Sequence, residues 1–344
     1  MKALVTGASG FLGRAVVSAL LARGVGVRAL VRPATKVTDL GWPGSVDLLR
    51  ADLRAPRNLE PAFSGIDVLV HLAAAVTGGE DAQFASTVVG TENLLRAMAR
   101  SGCRRLVLAS SFSVYDWSAI RGVLDEQSPI EPVPDLYARD GYSIAKSWQE
   151  RLARRGAAEH GWDLTVLRPG FIWGRDHAEL AALGVPLSAG AYVVIGPLAR
   201  MPMTHVDNCA DLFALSVTDP RAAGQTFNVV DGPGERIWSF LGCFLRRTGR
   251  RAVRIPLPYR PVHLAVSLAF ATVFRRNLKL PQILIPCRLE SRLKPLRYTN
   301  RHAWEVLGWK PPLGFEECLA RTFGPRHEPV RGAEDSRPPA RAAG

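Results

Sequence analysis

The chain has 344 residues, 47% of them hydrophobic, enough to bury a sizeable core and to exclude a disordered or fibrous protein. Its net charge is +13, with arginine far commoner than lysine; no nucleic-acid-binding motif goes with that charge, which reads as arginine-rich composition suited to an anionic cofactor. The five cysteines (Cys103, Cys209, Cys243, Cys287 and Cys318) are odd in number and form no Cys-x-x-Cys pair, which argues against a disulfide framework or a metal site and for a reducing cytoplasm.

The chain opens MKALVTGASG, where the apolar run Ala3 to Val5 is too short for a signal peptide, so none is expected. Lys2 to Thr6 reads as a strand and Leu12 to Arg23 as a helix. Strands follow at Val27 to Val31 and Ile66 to Leu72, a helix at Thr91 to Arg100, and a strand at Arg105 to Ser110. A helix at Tyr142 to Arg155 and a strand at Leu164 to Arg168 complete the series. Short apolar runs alternating with helices predict an α/β fold, a doubly wound parallel sheet of the Rossmann kind with a smaller C-terminal substrate lobe. Residues 1–175 form the expected dinucleotide-binding core, with about 204–230 returning to it. The prolines from Pro256 to Pro312 break the alternation, and 176–323 reads mainly as the substrate lobe. The tail 324–344, rich in Pro, Arg, Ala and Gly, is expected to lack order. Within the lobe, Val262 to Phe274 (VHLAVSLAFATVF) is too short for a bilayer span of about 20 residues and reads as a buried helix, with membrane-surface or apolar-substrate contact as the alternative.

Thr6-Gly7-Ala8-Ser9-Gly10-Phe11-Leu12-Gly13 links the first strand to the first helix. Gly7 permits the tight turn, Gly10 lets a diphosphate approach the backbone, and Gly13 lets helix and strand pack closely. The N–H groups that open the helix then favour an anion. An NAD site would end the second strand in an acid; here it ends Val31-Arg32, and arginine matches a 2′-phosphate. NADP(H) is therefore the preferred cofactor, with NAD(H) as the alternative. Asp52, after the expected third strand, could accept from adenine or cap the next helix.

Tyr142 and Lys146 are four residues apart in a helical stretch and share one face. A free phenol titrates too high for easy proton exchange, and a neighbouring ammonium would lower it. Ser110, Ser111 and Ser113 close a buried strand at the edge where ligands bind in such sheets; any of them could hold a substrate oxygen as charge develops on it. His71 and His205 read as packed histidines, Asp207 as a helix cap, and Tyr115 and Trp173 as core or pocket residues.

With TGASGFLG (6–13), ADL (51–53), HLAAA (71–75), SSFSVY (110–115), YSIAK (142–146), LRPGFIWG (167–174) and HVDN (205–208), the chain resembles the extended short-chain dehydrogenase/reductases. That superfamily includes sugar-nucleotide epimerases, 3β-hydroxysteroid dehydrogenases and dihydroflavonol reductases. The resemblance implies that Ser111, Tyr142 and Lys146 are catalytic. It also implies cofactor contacts at Gly7, Ser9, Gly10, Phe11, Leu12, Arg32, Asp52, Leu53, Leu72, Ala73, Ala74, Pro169 and Gly170, as well as at Tyr142 and Lys146. It extends to about residue 323 and is weak between 235 and 295. Three departures stand out. The family's VYG is VYD, with Asp116. Thr87 replaces an Asn that serves the proton relay or nicotinamide pocket. The stretch from 117 to 141 fits no subfamily pattern.

The function expected is NADP(H)-dependent oxidoreduction of a small organic carbonyl or alcohol, Tyr142 giving or taking the proton. The alternative is a sugar-nucleotide epimerase or dehydratase holding NAD tightly. A small-molecule substrate is expected as partner, and nucleic acid is not; a weak, salt-sensitive membrane-surface association and a homodimer are candidate partners.

Overall fold

The computed structural model describes residues 1–56, 59–132, 140–180, 182–187, 190–273 and 285–325. The tail expected to lack order lies, from residue 326 onward, outside the described residues. In chain order the elements are β1 (Lys2–Thr6), α1 (Phe11–Ala22), β2 (Gly26–Val31), β3 (Asp47–Arg50), β4 (Val68–His71), α2 (Glu80–Phe84), α3 (Gly90–Ala99), β5 (Arg105–Ala109), β6 (Val123–Leu124) and α4 (Gly141–His160). There follow β7 (Asp163–Pro169), β8 (Phe171–Trp173), β9 (Val185–Leu187), β10 (Ala191–Ile195), β11 (Met203–His205), α5 (Val206–Thr218) and β12 (Thr226–Val229). The chain ends with α6 (Ile237–Arg247), β13 (Val253–Leu257), α7 (Tyr259–Val273), α8 (Pro286–Leu293), β14 (Arg297–Tyr298), α9 (Arg301–Leu307) and α10 (Phe315–Phe323).

Seven strands form one parallel sheet in the order β12-β7-β5-β4-β1-β2-β3. The winding reverses between β1 and β4, which opens the crevice at the strands' C-terminal ends where such sheets bind ligands. Both faces are covered, as the unbroken apolar strands require. On one face Val16, Val17 and Leu20 of α1 pack with Leu212 and Phe213 of α5; on the other, Leu94 and Met98 of α3 pack with Ala153 of α4. The first turn is set by its glycines. Gly7 has φ +69°, and a Cβ at Gly13 would lie 2.1 Å from the Gly7 carbonyl oxygen, so only glycine lets α1 start there.

The rest of the chain builds a second core, in which Trp173, Met201, Phe240, Phe244 and Leu289 are buried. It includes the three-stranded sheet β13-β10-β9, while α5 and β12 return to the large sheet. Two expectations change here. The apolar segment 262–274 does form a helix through Val273, but it is not buried throughout: Val266 is, whereas Leu264 and Leu268 are 61% and 60% exposed. A helix apolar on every side must leave something outward when only one side meets a core. The cap of α5 is His205, whose Nδ1 accepts from the Asp207 N–H; the helix starts two residues earlier than expected, so Asp207 falls in its first turn and pairs with Arg321 at 3.0 Å.

Candidate active site

The phosphate-binding turn sits at the crevice. Gly10 precedes α1 with no side-chain cap, so the first N–H groups of the helix keep the unpaired donors that an anion takes. A Cβ at Gly10 would meet only the Gly7 carbonyl oxygen, at 3.2 Å, so the approach from outside is open. This cradle fits a dinucleotide diphosphate. The Phe11 ring leans on His177, 4.3 Å between centroids, and Ser9 and Leu12 are half-buried beside it. Leu72 and Ala73 continue from β4, with their N–H groups on the Thr6 carbonyl oxygen and hydroxyl, and Ala74 follows. Pro169 ends β7 and Gly170 follows it, its N–H donating to the Val229 carbonyl at 3.2 Å.

At the tip of β2, Arg32 is exposed. Behind it, Arg50 donates to the carbonyls of Pro33 and Thr35 at 2.7 and 2.9 Å and shapes the loop. Asp52 accepts from the Arg54 guanidinium at 2.7 Å and from its N–H at 2.9 Å. Hydrogen bonding to Arg54 chiefly, with Arg32 adding attraction, holds the Asp52 carboxyl below its usual range. Leu53 packs under Gly90, and its carbonyl accepts from Asn93. Arg50 and Arg54 escaped the sequence reading because exposed arginines at or just past the end of a strand carry no local signal.

The catalytic candidates come from β5 and α4. Asp140 caps α4 by accepting from the Ser143 N–H at 2.8 Å, which starts the helix at Gly141; Gly161, φ +64°, ends it. Tyr142 is half-buried, with its hydroxyl close enough to Ser111 for the serine to favour the ionised phenol. Burial pushes the phenol up to about 12; the Ser111 contact pulls it down and the Asp140 carboxylate pushes it further up. Of the three serines, Ser110 is committed to Glu150, its hydroxyl donating to a buried carboxylate. Ser111 is extended, and its hydroxyl accepts from the Ser113 N–H at 3.1 Å. Ser113 faces a narrow cavity with Trp117, Asp140 and Ser143 on one side and Cys287, Arg288 and Ser291 of α8 on the other. Arg288 also pairs with Glu80 at 3.6 Å.

Lys146 is buried, and its ammonium donates to the Ala109 carbonyl and to Oε1 of Gln149, both at 2.7 Å. Burial lowers its pKa to about 7, against attraction from Glu150. The expected direct lowering of Tyr142 by Lys146 is not among the influences on the phenol here, since a lysine brought down to about 7 carries no charge where a phenol near 12 titrates. Gln149, which sequence reasoning missed, is fully buried and ties this lysine to the other half of the sheet. Its Nε2 donates to the Ala73 carbonyl at 3.0 Å and to the Thr91 hydroxyl at 2.9 Å. His71 joins Thr91 through Nε2 at 2.8 Å and Thr6 through Nδ1 at 2.6 Å. Burial drives His71 down to about 3, so it is a neutral hydrogen-bonding element. Thr87 sits in a π-helical turn, Ala85–Val89, where its hydroxyl accepts from the Ala75 N–H at 3.0 Å; such turns are frequent at functional sites.

Tyr115 is core. Its hydroxyl donates to Asn228 at 2.6 Å and accepts from Arg168, whose guanidinium also pairs with Glu150 at 2.6 Å. Trp173 is likewise packed within the second core. Asp116 accepts from the Ser118 N–H and so closes a turn.

The model of the NAD dependent epimerase/dehydratase family matches residues 3–230. A 4-hydroxy-2-methyl-3-oxo-4-farnesyl-3,4-dihydroquinoline-1-oxide ketoreductase from Stigmatella aurantiaca is 32% identical over 273 residues, covering 78% of this chain and 79% of that protein. A 3β-hydroxysteroid-dehydrogenase/decarboxylase (isoform 1) from Arabidopsis thaliana is 27% identical over 81% of this chain, which spans 66% of the plant protein. Among solved structures, the UDP-glucose 4-epimerase of Thermus thermophilus in complex with NAD superposes with a TM-score of 0.69 at 23% identity, covering 94% of this chain and 98% of that one; at that identity the likeness is one of fold.

Proposed function

Because the chain belongs to the NAD dependent epimerase/dehydratase family, as an NAD(P)-dependent enzyme of the extended short-chain dehydrogenase/reductase type, we propose that it is an NADP(H)-dependent reductase of a small organic carbonyl compound. The observation that carries this reading is the meeting of Ser111 and Tyr142 beyond the C-terminal end of β5, one helical turn from a buried lysine. In this reading residues 1–175 and 204–230 hold the cofactor, 176–323 mainly the substrate, and the enzyme works in the cytoplasm.

The nicotinamide, when bound, supplies or accepts the hydride. The chain's own groups handle the oxygen and its proton. The Ser111 hydroxyl holds the substrate oxygen as charge develops on it. Tyr142, kept protonated by burial, donates to that oxygen; an alkoxide is more basic than a phenolate, so the transfer runs downhill even from a phenol near 12. Lys146 spends two of its three N–H bonds on Ala109 and Gln149, leaving the third for the nicotinamide ribose and the phenolate side of the site. Gln149 is a positioning residue: it supplies the side-chain amide at the lysine where Thr87 stands in place of the expected Asn. The uncapped turn at Gly10, with Phe11 and Leu12, receives the diphosphate, and Leu53, Leu72, Ala73, Ala74, Pro169 and Gly170 line the dinucleotide. Arg32, with Asp52 and Arg54 beside it, faces the adenosine ribose, which favours the 2′-phosphate of NADP(H) over NAD(H).

The test is cofactor consumption against a panel of carbonyl compounds and sugar nucleotides, with NADPH and NADH in parallel. NADPH should be consumed with a carbonyl compound and bind more tightly than NADH. Arg32→Ala should weaken NADPH selectively by about 1–3 kcal/mol. Equal affinity for both cofactors would sink the assignment to NADP(H). Purified protein that retains nicotinamide and turns over a sugar nucleotide without net consumption would replace the reductase by the epimerase reading.

A further inference from the structure

The positive charge of this chain is concentrated in one stretch. Between Glu235 and Glu290 there is no acidic residue, and those 54 positions hold ten arginines and one lysine, eleven positive charges in a chain of net +13. The same stretch contains α6, β13 and α7, the outer part of the small lobe.

Its exposed surface is apolar as well as basic. In the β13-β10-β9 sheet, Tyr192 and Val194 of β10 turn inward and are buried. The opposite parity pairs Val253 with Ala191 and Ala191 with Leu187, so these side chains share the other face, with Ile255 beside them; Val193, the partner of Ile255, packs partly against the second core. On it Leu187, Val253, Ile255 and Leu257 are exposed, Val253 by 67%. Arg254, between Val253 and Ile255, turns inward over the Trp238 ring at 4.2 Å, so this strand puts no charge on the apolar row. Beyond Pro258 the chain enters α7, where Leu264 and Leu268 are exposed. Single exposed aliphatic residues are ordinary; a row of them is a docking surface. Arginines stand at its ends. Arg250 pairs with Glu179 at 2.8 Å and Arg247 approaches Glu316 at 4.0 Å, but among the described residues Arg246, Arg251 and Arg260 form no ion pair.

We propose that this face of the small lobe, the outward side of β13 and β9 with its rim of arginines, docks on an anionic lipid surface. Aliphatic side chains enter the headgroup boundary while cations at the edge meet lipid phosphates. A nucleic-acid surface would instead interleave its cations with aromatic stacking platforms, and this row is aliphatic. Pairing with a second copy along the free edge of β13 is opposed by Pro256, which has no N–H to give. No helix among the described residues is long and apolar enough to cross a membrane, so the contact is peripheral.

The experiment is co-sedimentation of the full chain with vesicles of phosphatidylcholine alone and of phosphatidylcholine mixed with phosphatidylglycerol, over a range of salt. The protein should pellet with the mixed vesicles, remain in solution with the neutral ones, and be released as salt rises. Arg246→Gln, Arg251→Gln and Arg260→Gln together should weaken vesicle binding on the order of a hundredfold, and replacement by lysine should retain it. Val253→Ser with Ile255→Ser should weaken it about tenfold with NADPH binding unchanged. Absence of binding to the mixed vesicles, or equal binding to both kinds, overturns the proposal. So does tight binding to short duplex DNA that ignores the serine substitutions, or a dimer mass in sedimentation equilibrium that those substitutions halve. The wild-type vesicle and salt arms decide the matter even if a variant fails to fold.

Discussion

Lys146 and Glu150 lie one turn apart on α4, both buried, and their surroundings differ in kind. Glu150 is neutralised by charge: Arg168 takes both of its oxygens, Arg154 adds a second cation, and Ser110 donates as well. Burial alone would raise its carboxyl; the guanidinium overrides that and holds it near 2. Lys146 meets only neutral oxygens, a carbonyl and an amide, and burial brings its ammonium down to about 7. One turn therefore holds a fixed ion pair joining helix to sheet, and the next holds a charge poised to change near neutral pH. The difference separates a structural from a chemical role for two side chains that look alike in sequence.

The largest effect should come from breaking the fixed pair. Arg168→Met leaves a buried carboxylate short of its main partner and should cost about 3–5 kcal/mol in urea unfolding, while adding Glu150→Leu should restore much of it. Because the folded carboxyl sits below its ordinary value of 4.5, the pair stabilises the protein above that pH, and this contribution is lost as pH falls from 4.5 toward 2. Arg168→Met should flatten that limb; an unchanged acid limb would mean the pair is not what stabilises the helix. Next, Ser111→Ala should lower turnover by about 10²- to 10³-fold with NADPH affinity intact, whereas Ser110→Ala should act on stability, through Glu150. A smaller effect tests the poised lysine. The kcat/KM for NADPH reports the free enzyme and should fall as pH rises through about 7, where Lys146 loses its proton. Gln149→Leu removes an acceptor and should move that limb down by about one pH unit; Gln149→Glu should move it up. A limb insensitive to both would remove Gln149 from the positioning of the lysine.

How much of this was legible follows from the range of each interaction. The strands of the large sheet, other than β12, and the glycine turn showed in the sequence because apolar runs and a local glycine spacing are contained within ten residues or so. Tyr142 and Lys146 showed for the same reason. The helix that carries them is longer than its apolar pattern, Gly141–His160 against an expected Tyr142 to Arg155, though Asp140 and Gly161 were there to mark its ends. Gln149 and Glu150 carried no signal of their own in the sequence. What buries them comes from residues such as His71, Thr91 and Arg168, 18 to 78 positions away, and no local pattern announces that. Spacing alone left the three serines open, and only the resemblance pointed to Ser111; the engagement of Ser110 by a carboxylate 40 residues on has the same long range. In the small lobe the error was of another sort: an apolar run predicts a helix but not which of its sides a core will cover, and Leu264 and Leu268 face outward.

The role of Tyr142 as the proton donor is tested most directly by the turnover of Tyr142→Phe on the carbonyl substrate found in the cofactor screen, with NADPH affinity measured alongside. The substitution keeps the ring and removes the hydroxyl that meets Ser111. Turnover should fall by about 10²- to 10⁴-fold while NADPH affinity stays unchanged, since the hydroxyl acts in the transition state. Near-normal turnover in Tyr142→Phe would contradict the mechanism.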